Sequence, residues 1–402
     1  MSNKRQFLKD VFFLGTAAFG GPQSHLSLFQ KRLTGSHKYL TDRELTEINA
    51  FCQVLPGPSS TQTLTVIGFN MGGPGLAFLT LLLWSLPGAI VMSVLTLSPR
   101  FLGKSELQYL SPLVLAYLAS GTLLMLKQVR RGTIYWFTCI AACLAVMYIN
   151  APWIFPLGIV LGGILSALFG NRTFVPNKQE FGRIRWANFT LYLAIFIFIG
   201  ILGQTAHLMP GMDGFTQPIT LFENTFRMGS LVFGGGNTLA PMVLEQYVHH
   251  KPRMTAEEFQ TGMGLLQAMP GPVFNFAIYF NGIAMKTMGY SFSGQLMGCA
   301  IGFVSIFLPG ILFVFFVYPI WGRLKRYPIV ERSLDGIIAV SVGFVLAALV
   351  EMSSLSVVNK PEVTGDPLWW LVLLGAFAFI QFSKWPTPLL VVAVVAIGFI
   401  AG

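Results

Sequence analysis

One phrase of helix-breaking residues occurs twice in this chain, 214 positions apart, and it restricts the available folds more than any other feature. The first copy runs from Phe19-Gly20-Gly21-Pro22 to Leu55-Pro56-Gly57-Pro58, the second from Phe233-Gly234-Gly235-Gly236 to Met269-Pro270-Gly271-Pro272. No gap separates the landmarks: Thr41 falls on Thr255, Glu44 on Glu258 and Gln53 on Gln267. Leu86-Pro87-Gly88 recurs as Leu308-Pro309-Gly310 after an insertion of eight residues near Ala284–Ser291. Paired Gly/Pro interruptions of apolar segments are the sequence mark of internally repeated membrane proteins that bind a solute at the breaks.

The surroundings are bilayer material. Of the 402 residues 54% are hydrophobic and 10% charged, and mean hydropathy is +0.65. Runs such as Gly75–Leu97, Ile301–Val317 and Leu368–Phe382 approach the ~20 apolar residues that span a hydrocarbon core. Trp84, Trp136, Trp153, Trp321 and Trp385 stand near segment ends, where aromatic rings meet the lipid interface. The net charge of +10 does not indicate nucleic acid, because Lys and Arg sit in short loops between apolar runs, where they record orientation. Cys52, Cys139, Cys143 and Cys299 lie in apolar segments without a zinc pattern and are expected in the core. The N-terminus imitates a signal peptide, but cleavage would fall beside Phe19-Gly20-Gly21-Pro22, whose counterpart at 233 is internal.

The fold class expected is an all-α polytopic membrane protein with about thirteen transmembrane segments. Six lie at 7–33, 43–70, 74–97, 108–127, 132–149 and 152–169, a linking span at 187–209, and six more at 218–247, 256–285, 291–318, 331–351, 367–383 and 385–401. The domains are an N-terminal repeat (1–170), a basic loop with the link (171–212) and a C-terminal repeat (213–402). Seven crossings before the second repeat invert it relative to the first. With the N-terminus inside and the C-terminus outside, seventeen Lys and Arg fall inside against eight outside, with Arg227 within the membrane. Four of those eight (Lys31, Arg32, Lys38, Arg43) crowd one loop. Re-entrant half-helices in the first two segments of each half are the alternative to full crossings. Thr41-x-x-Glu44 and Thr255-x-x-Glu258 predict capping boxes.

Each break frees N–H groups at a new helix start, and in lipid these need a partner. A bound anion serves, assisted by the helix dipole. The candidate substrate-binding residues are therefore Gly20, Gly21, Pro22, Gln23, His25, Gln53, Pro56, Gly57, Pro58, Ser59, Ser60 and Thr61 in the first half. In the second they are Arg227, Gly234, Gly235, Gly236, Asn237, Gln267, Pro270, Gly271, Pro272 and Asn275. Four N-termini would supply up to roughly +2 if they converged, against the plainer reading that the breaks are packing kinks. Arg227 stands where the first half has Phe13, so either it serves function or it pairs with Glu223 one turn earlier. His25 and Glu245 are the proton-coupling candidates, weighed against ordinary structural roles. The glycine stripes Gly294, Gly298, Gly302 and Gly158, Gly162 are expected to pack helices within the monomer; a homodimer seam is the alternative. No metal site, cofactor motif or catalytic set appears, so the chain reads as a non-enzyme.

Phe19-Gly20-Gly21-Pro22-x-x-His25 followed by Leu55-Pro56-Gly57-Pro58, with a second copy in the same chain, resembles the chromate ion transporter family in its long two-domain form. The resemblance covers nearly the whole chain. It implies export of chromate, with sulfate a look-alike oxyanion, across the bacterial inner membrane, driven by the proton motive force. Its motif maps onto Gly20, Gly21, Pro22, His25, Pro56, Gly57 and Pro58, and onto Gly234, Gly235, Pro270, Gly271 and Pro272. Gly236 departs from it, standing where the first copy has Pro22. The implied partners are an oxyanion and membrane lipids. The alternatives are an oxyanion channel, a sulfate or other oxyanion transporter of the same fold, and, least favoured, an intramembrane enzyme.

Overall fold

A computed structural model of the chain describes residues 2–19, 22–98, 107–129, 131–149, 151–170, 186–208, 214–233, 235–320, 327–359, 364–383 and 385–401. Among them there is no strand. Helices form because long apolar stretches must satisfy their backbone polar groups internally.

The first half comprises α1 (Ser2–Ala17), α2 (Pro22–Phe29, continuing as a π-helix Gln30–Ser36), α3 (Asp42–Val54), α4 (Ser59–Leu97), α5 (Leu110–Leu126), α6 (Thr133–Tyr148) and α7 (Ile154–Phe169). Then comes α8 (Trp186–Thr205). The second half holds α9 (Thr216–Leu231), a 3-10 turn Gly236–Thr238, α10 (Leu239–Val243, continuing as a π-helix Leu244–His250), α11 (Ala256–Leu266) and α12 (Phe276–Thr287). Behind these follow α13 (Phe292–Leu312), α14 (Pro328–Asn359), α15 (Pro367–Phe382) and α16 (Thr387–Ala401). Among the described residues three stretches are long and apolar enough to cross a membrane, namely Ser59–Leu97, Phe292–Ile320 and Pro328–Ser356, and six shorter helices are also apolar.

The longest, α4, is not one rod. Gly73 has φ 77° and ψ −166°, a conformation that glycine adopts without steric cost. Across it the chain doubles back, so that a Cβ on Gly68 would lie 3.2 Å from the Cα of Ala77. The predicted break between 43–70 and 74–97 falls here.

The expected segments 7–33 and 218–247 also fold back on themselves. Arg32 Nη2 lies 2.9 Å from Asp10 Oδ1, whereas 22 residues of straight helix would separate them by ~33 Å. His37 Nδ1 and the Tyr39 hydroxyl reach the other oxygen of Asp10, at 2.9 and 2.7 Å. In the second half Arg227 bridges Asn224 (2.9 Å) and Gln246 (3.4 Å), the counterparts of Asp10 and Arg32. The next segments behave alike: Thr63 reaches Asn49 at 3.4 Å, and the Tyr279 hydroxyl donates to the Glu258 carbonyl at 2.9 Å. Both capping boxes form.

The glycine stripes pack inside the chain. Gly298 and Gly302 abut the Asn281 and Ala277 carbonyls of α12, and Gly158 and Gly162 abut Phe344 and Val340 of α14. Two helix-breaking loops join the halves reciprocally. The Gly57 amide donates to the Val232 carbonyl at 2.7 Å, and the Gly271 amide donates to the Ala18 carbonyl at 2.8 Å. Gly88 meets the Pro270 carbonyl of the other half, as Gly310 meets Pro58 and Gln62.

Candidate functional site

At the junction of the breaks lies a cavity of about 360 Å³, within the size range of small-molecule sites. Each of the four interrupted helix starts contributes a wall: Ser24 from α2, Ser59 from α4, Gly235, Gly236 and Asn237 ahead of α10, and Val273 ahead of α12. Gln53 and Gly57 add the first Pro-Gly-Pro approach. Among the described residues no charged one lines the cavity. Its polarity comes from hydroxyls, amides and the N–H groups of helix starts, which favour an anion.

Local sequence makes these walls. Gly57 (φ 109°) and Gly235 (φ 104°) adopt left-handed conformations where a side chain would be strained. Pro58 sets the start of α4, its carbonyl accepting the Gln62 amide at 2.9 Å. The Gln62 side chain donates to the Pro56 carbonyl at 2.7 Å and steadies the break.

The predicted residues divide. Gln53, Gly57, Ser59, Gly235, Gly236 and Asn237 line the cavity. Gly20, Gly21 and Gly234 lie outside the described residues, as do the side chains of Pro22 and Gln23; Pro22 opens α2 as predicted. Ser60 and Thr61 turn away from the cavity. Ser60 meets His25 Nδ1 at 3.0 Å and Thr61 accepts from Trp84 Nε1 at 3.0 Å. His25 is buried edge-on to Trp84 and is not among the residues that line the cavity. Gln267 bonds to the Met263 carbonyl of its own helix at 3.2 Å. Gly271 (φ 84°) sits between Pro270 and Pro272 and forms the reciprocal tie to Ala18. Asn275 donates to the Ser85 carbonyl at 3.3 Å.

Arg227 stands apart. Its Nε lies 2.9 Å from Glu223 Oε1, and the crevice beside it measures about 10 Å³, room for one water at most. The structure therefore gives Arg227 the pairing with Glu223 and does not bring it to the cavity. Glu245 is buried some way along the α10 arm, with one carboxylate oxygen unpartnered among the described residues.

Sequence reasoning missed an entire wall. Tyr117, Ser120, Gly121, Leu124 and Met125 of α5 and Gln128 just beyond its end face the cavity, and Ile380 and Gln381 of α15 close it. Tyr117, Ser120, Gly121 and Leu124 recur at spacings of three, one and three on one face of an apolar helix, a signal the sequence carries. Gly121 has no side chain because Asn237 occupies that space.

The family model for chromate transporters matches residues 5–167 and 219–400. The chromate transport protein of Pseudomonas aeruginosa is 24% identical over 413 aligned residues, covering 100% of this chain and 92% of that protein. The chromate transport protein of Cupriavidus metallidurans is 23% identical, covering 99% and 93%. An uncharacterised transporter of Methanocaldococcus jannaschii is 24% identical, covering 85% and 82%. No solved structure matches significantly. With both halves matched, the chain is a multi-pass membrane protein that belongs to the chromate transporter family.

Proposed function

We propose that this protein is a secondary active transporter that exports chromate, or a tetrahedral dianion like it, by alternating access coupled to the proton motive force. The observation that carries the reading is the meeting of four helix starts at one uncharged cavity. Their dipoles would supply up to roughly +2, matched to a dianion, while unoccupied N–H groups at membrane depth need a partner. The two chromate transport relatives match over nearly their whole length.

The fold-backs support one membrane placement. Segments 1–36, 42–72, 216–250 and 256–287 are re-entrant hairpins, and nine helices cross: the 74–97 arm of α4, then α5, α6, α7, α8, α13, α14, α15 and α16. The halves are then inverted, with the N-terminus cytoplasmic and the C-terminus outside. This arrangement takes the basic count from seventeen against eight to nineteen against six, because Lys31, Arg32, Lys38 and Arg43 move inside while Lys251 and Arg253 move outside. Long-range bonds agree with it. Asn70–Tyr318 (3.1 Å) joins two cytoplasmic ends, and Tyr109–Asp366 (2.8 Å) and Gln260–Ser356 (3.1 Å) join external ones. Gln128 and Gln381, at the cytoplasmic ends of α5 and α15, then mark the cavity mouth, beside Lys127 and Arg131. A cytoplasm-facing cavity whose mouth lies near the basic residues that follow α5 in sequence suits loading of an exported anion.

The test is chromate flux in proteoliposomes, with and without a pH gradient, in the presence of sulfate or molybdate. Uphill chromate movement that collapses with the gradient is expected. Flux that only ever runs downhill rejects coupled transport in favour of a channel, and full competition by sulfate transfers the assignment to another oxyanion.

A further inference from the structure

The arm from Gly235 to His250 has two chemically different ends. Its tip supplies Gly235, Gly236 and Asn237 to the cavity. Its far end is the π-helix Leu244–His250, a winding found mainly at functional positions and one that brings residues four and five apart onto the same face. There Glu245 and His249 stand four residues apart on the arm, and the charge of Glu351 on α14 acts on both. His249 Nε2 is 2.6 Å from Glu351 Oε1, and these two side chains are 27% and 29% exposed. Glu245 is 3% exposed, and its Oε1 has no hydrogen-bond partner among the described residues. A buried carboxylate with an orphan oxygen is costly when ionised and is relieved by a proton.

We propose that Glu245, His249 and Glu351 form the proton-binding site that couples this transporter to its driving gradient. The proposal rests on the transport reading above, in which this end of the arm faces outward. The His249–Glu351 pair meets water and receives the proton; a Glu245 carboxylate oxygen accepts it as an O–H bond, and after the arm has moved that bond breaks and the proton passes to water on the cytoplasmic side. With an imidazolium and two carboxylates the trio carries one net negative charge, and one further proton neutralises it. Proton and substrate then act on opposite ends of one arm: a change of charge at Glu245 alters the burial that the π-helix tolerates, and Gly235–Asn237 are attached to it.

The surrounding charges do not quench the site. On α9, Glu223 and Arg227 pair with each other on the Gln246 side of the arm. On α11, Glu258 is held in the capping box, with Glu257 beside it in the first turn. On the arm itself and just beyond it, His250 and Lys251 are exposed, and Arg253 bonds to Gln217 at 2.6 Å.

The experiment uses the full chain in proteoliposomes with chromate as probe and two readouts: accumulation driven by an imposed pH gradient, and counterflow at equal pH. Glu245→Gln is expected to lose pH-driven accumulation by at least about tenfold while counterflow stays within about twofold of wild type. Glu245→Asp is expected to restore part of the accumulation, and His249→Gln and Glu351→Gln to move its pH profile. Retained pH-driven accumulation in Glu245→Gln overturns the proposal, and so does loss of counterflow alongside it, which would make Glu245 a folding or binding residue. If the wild type performs counterflow but ignores the pH gradient, proton coupling itself fails, and the trio's role with it, before any variant is made.

Discussion

The amide of Gly57 donates to the carbonyl of Val232 at 2.7 Å, and the positions equivalent to these by the sequence repeat, Gly271 and Ala18, make the same bond at 2.8 Å. Reciprocal pairing of this kind is what a two-fold relation between two like units produces. Both donors are glycines with positive φ (109° and 84°). Each break therefore both opens a helix start and fastens one half to the other.

Gly57→Ala and Gly271→Ala should each lower stability by about 1–3 kcal/mol, the cost of a strained backbone conformation. At Gly57 the added methyl would also meet the Gln62 amide nitrogen at 2.9 Å. Gly75→Ala is the control, since nothing lies within 4 Å of a Cβ there. Thermal unfolding of the detergent-purified protein compares the three, and equal melting temperatures would remove the strain argument.

On the proposed membrane placement, the fold-back of 7–33 puts the Lys38 loop on the same side as Lys4. A cysteine at Lys38, in a background without the four native cysteines, should react with an impermeant maleimide only from the side that labels one introduced at Arg131. Labelling from opposite sides would restore a straight first crossing.

Cavity residues and Arg227 should separate in kinetics. Ser59→Ala, Asn237→Ala and Gln53→Ala remove wall groups, and each is expected to raise the apparent KM for the transported anion several-fold, about 1 kcal/mol per lost neutral hydrogen bond. Arg227→Ala leaves the nearly buried Glu223 without its 2.9 Å partner, and should cost on the order of 2 kcal/mol in stability with KM unchanged in the protein that folds. Initial-rate transport and unfolding curves on the same preparations decide between the two patterns.

The Asp10 knot makes a prediction in alkali. Burial, followed by the hydrogen bond to Asp10 and the negative charge there, pushes the Tyr39 phenol well above its ordinary range. A phenol whose folded pKa is raised gives stability that is complete below its unfolded value of about 10 and is lost as pH rises towards the folded one. Wild-type stability should thus fall as pH is raised beyond about 10, and Tyr39→Phe, already lacking the bond, should lack this component. Parallel pH–stability curves for the two proteins would rule the knot out.

The repeat spacing made much of this legible. It located the breaks, the capping boxes and the equivalence of positions such as Gly57 and Gly271. The direction of the chain beyond a break was not legible, because an apolar segment with a central glycine has the same composition whether it runs on or returns. The tell-tale was Asp10 paired with Arg32, a contact between residues too far apart along a straight helix. Of Ser59, Ser60 and Thr61 only Ser59 reaches the cavity, since successive residues point about 100° apart around a helix. Gln53 and Gln267 are twins in sequence but not in space. Gln53 faces the cavity while Gln267 bonds its own helix, an asymmetry created by the walls that α5 and α15 add to one side.

The joint between the halves is made from main-chain atoms, Gly57 to Val232 and Gly271 to Ala18, while the cavity is dressed by side chains such as Ser59, Tyr117, Gln128 and Asn237. On the proposed function, fastening and cargo preference are thereby written in different parts of the polypeptide. Lineages can re-dress the chamber for a new solute one residue at a time and keep the same clasp.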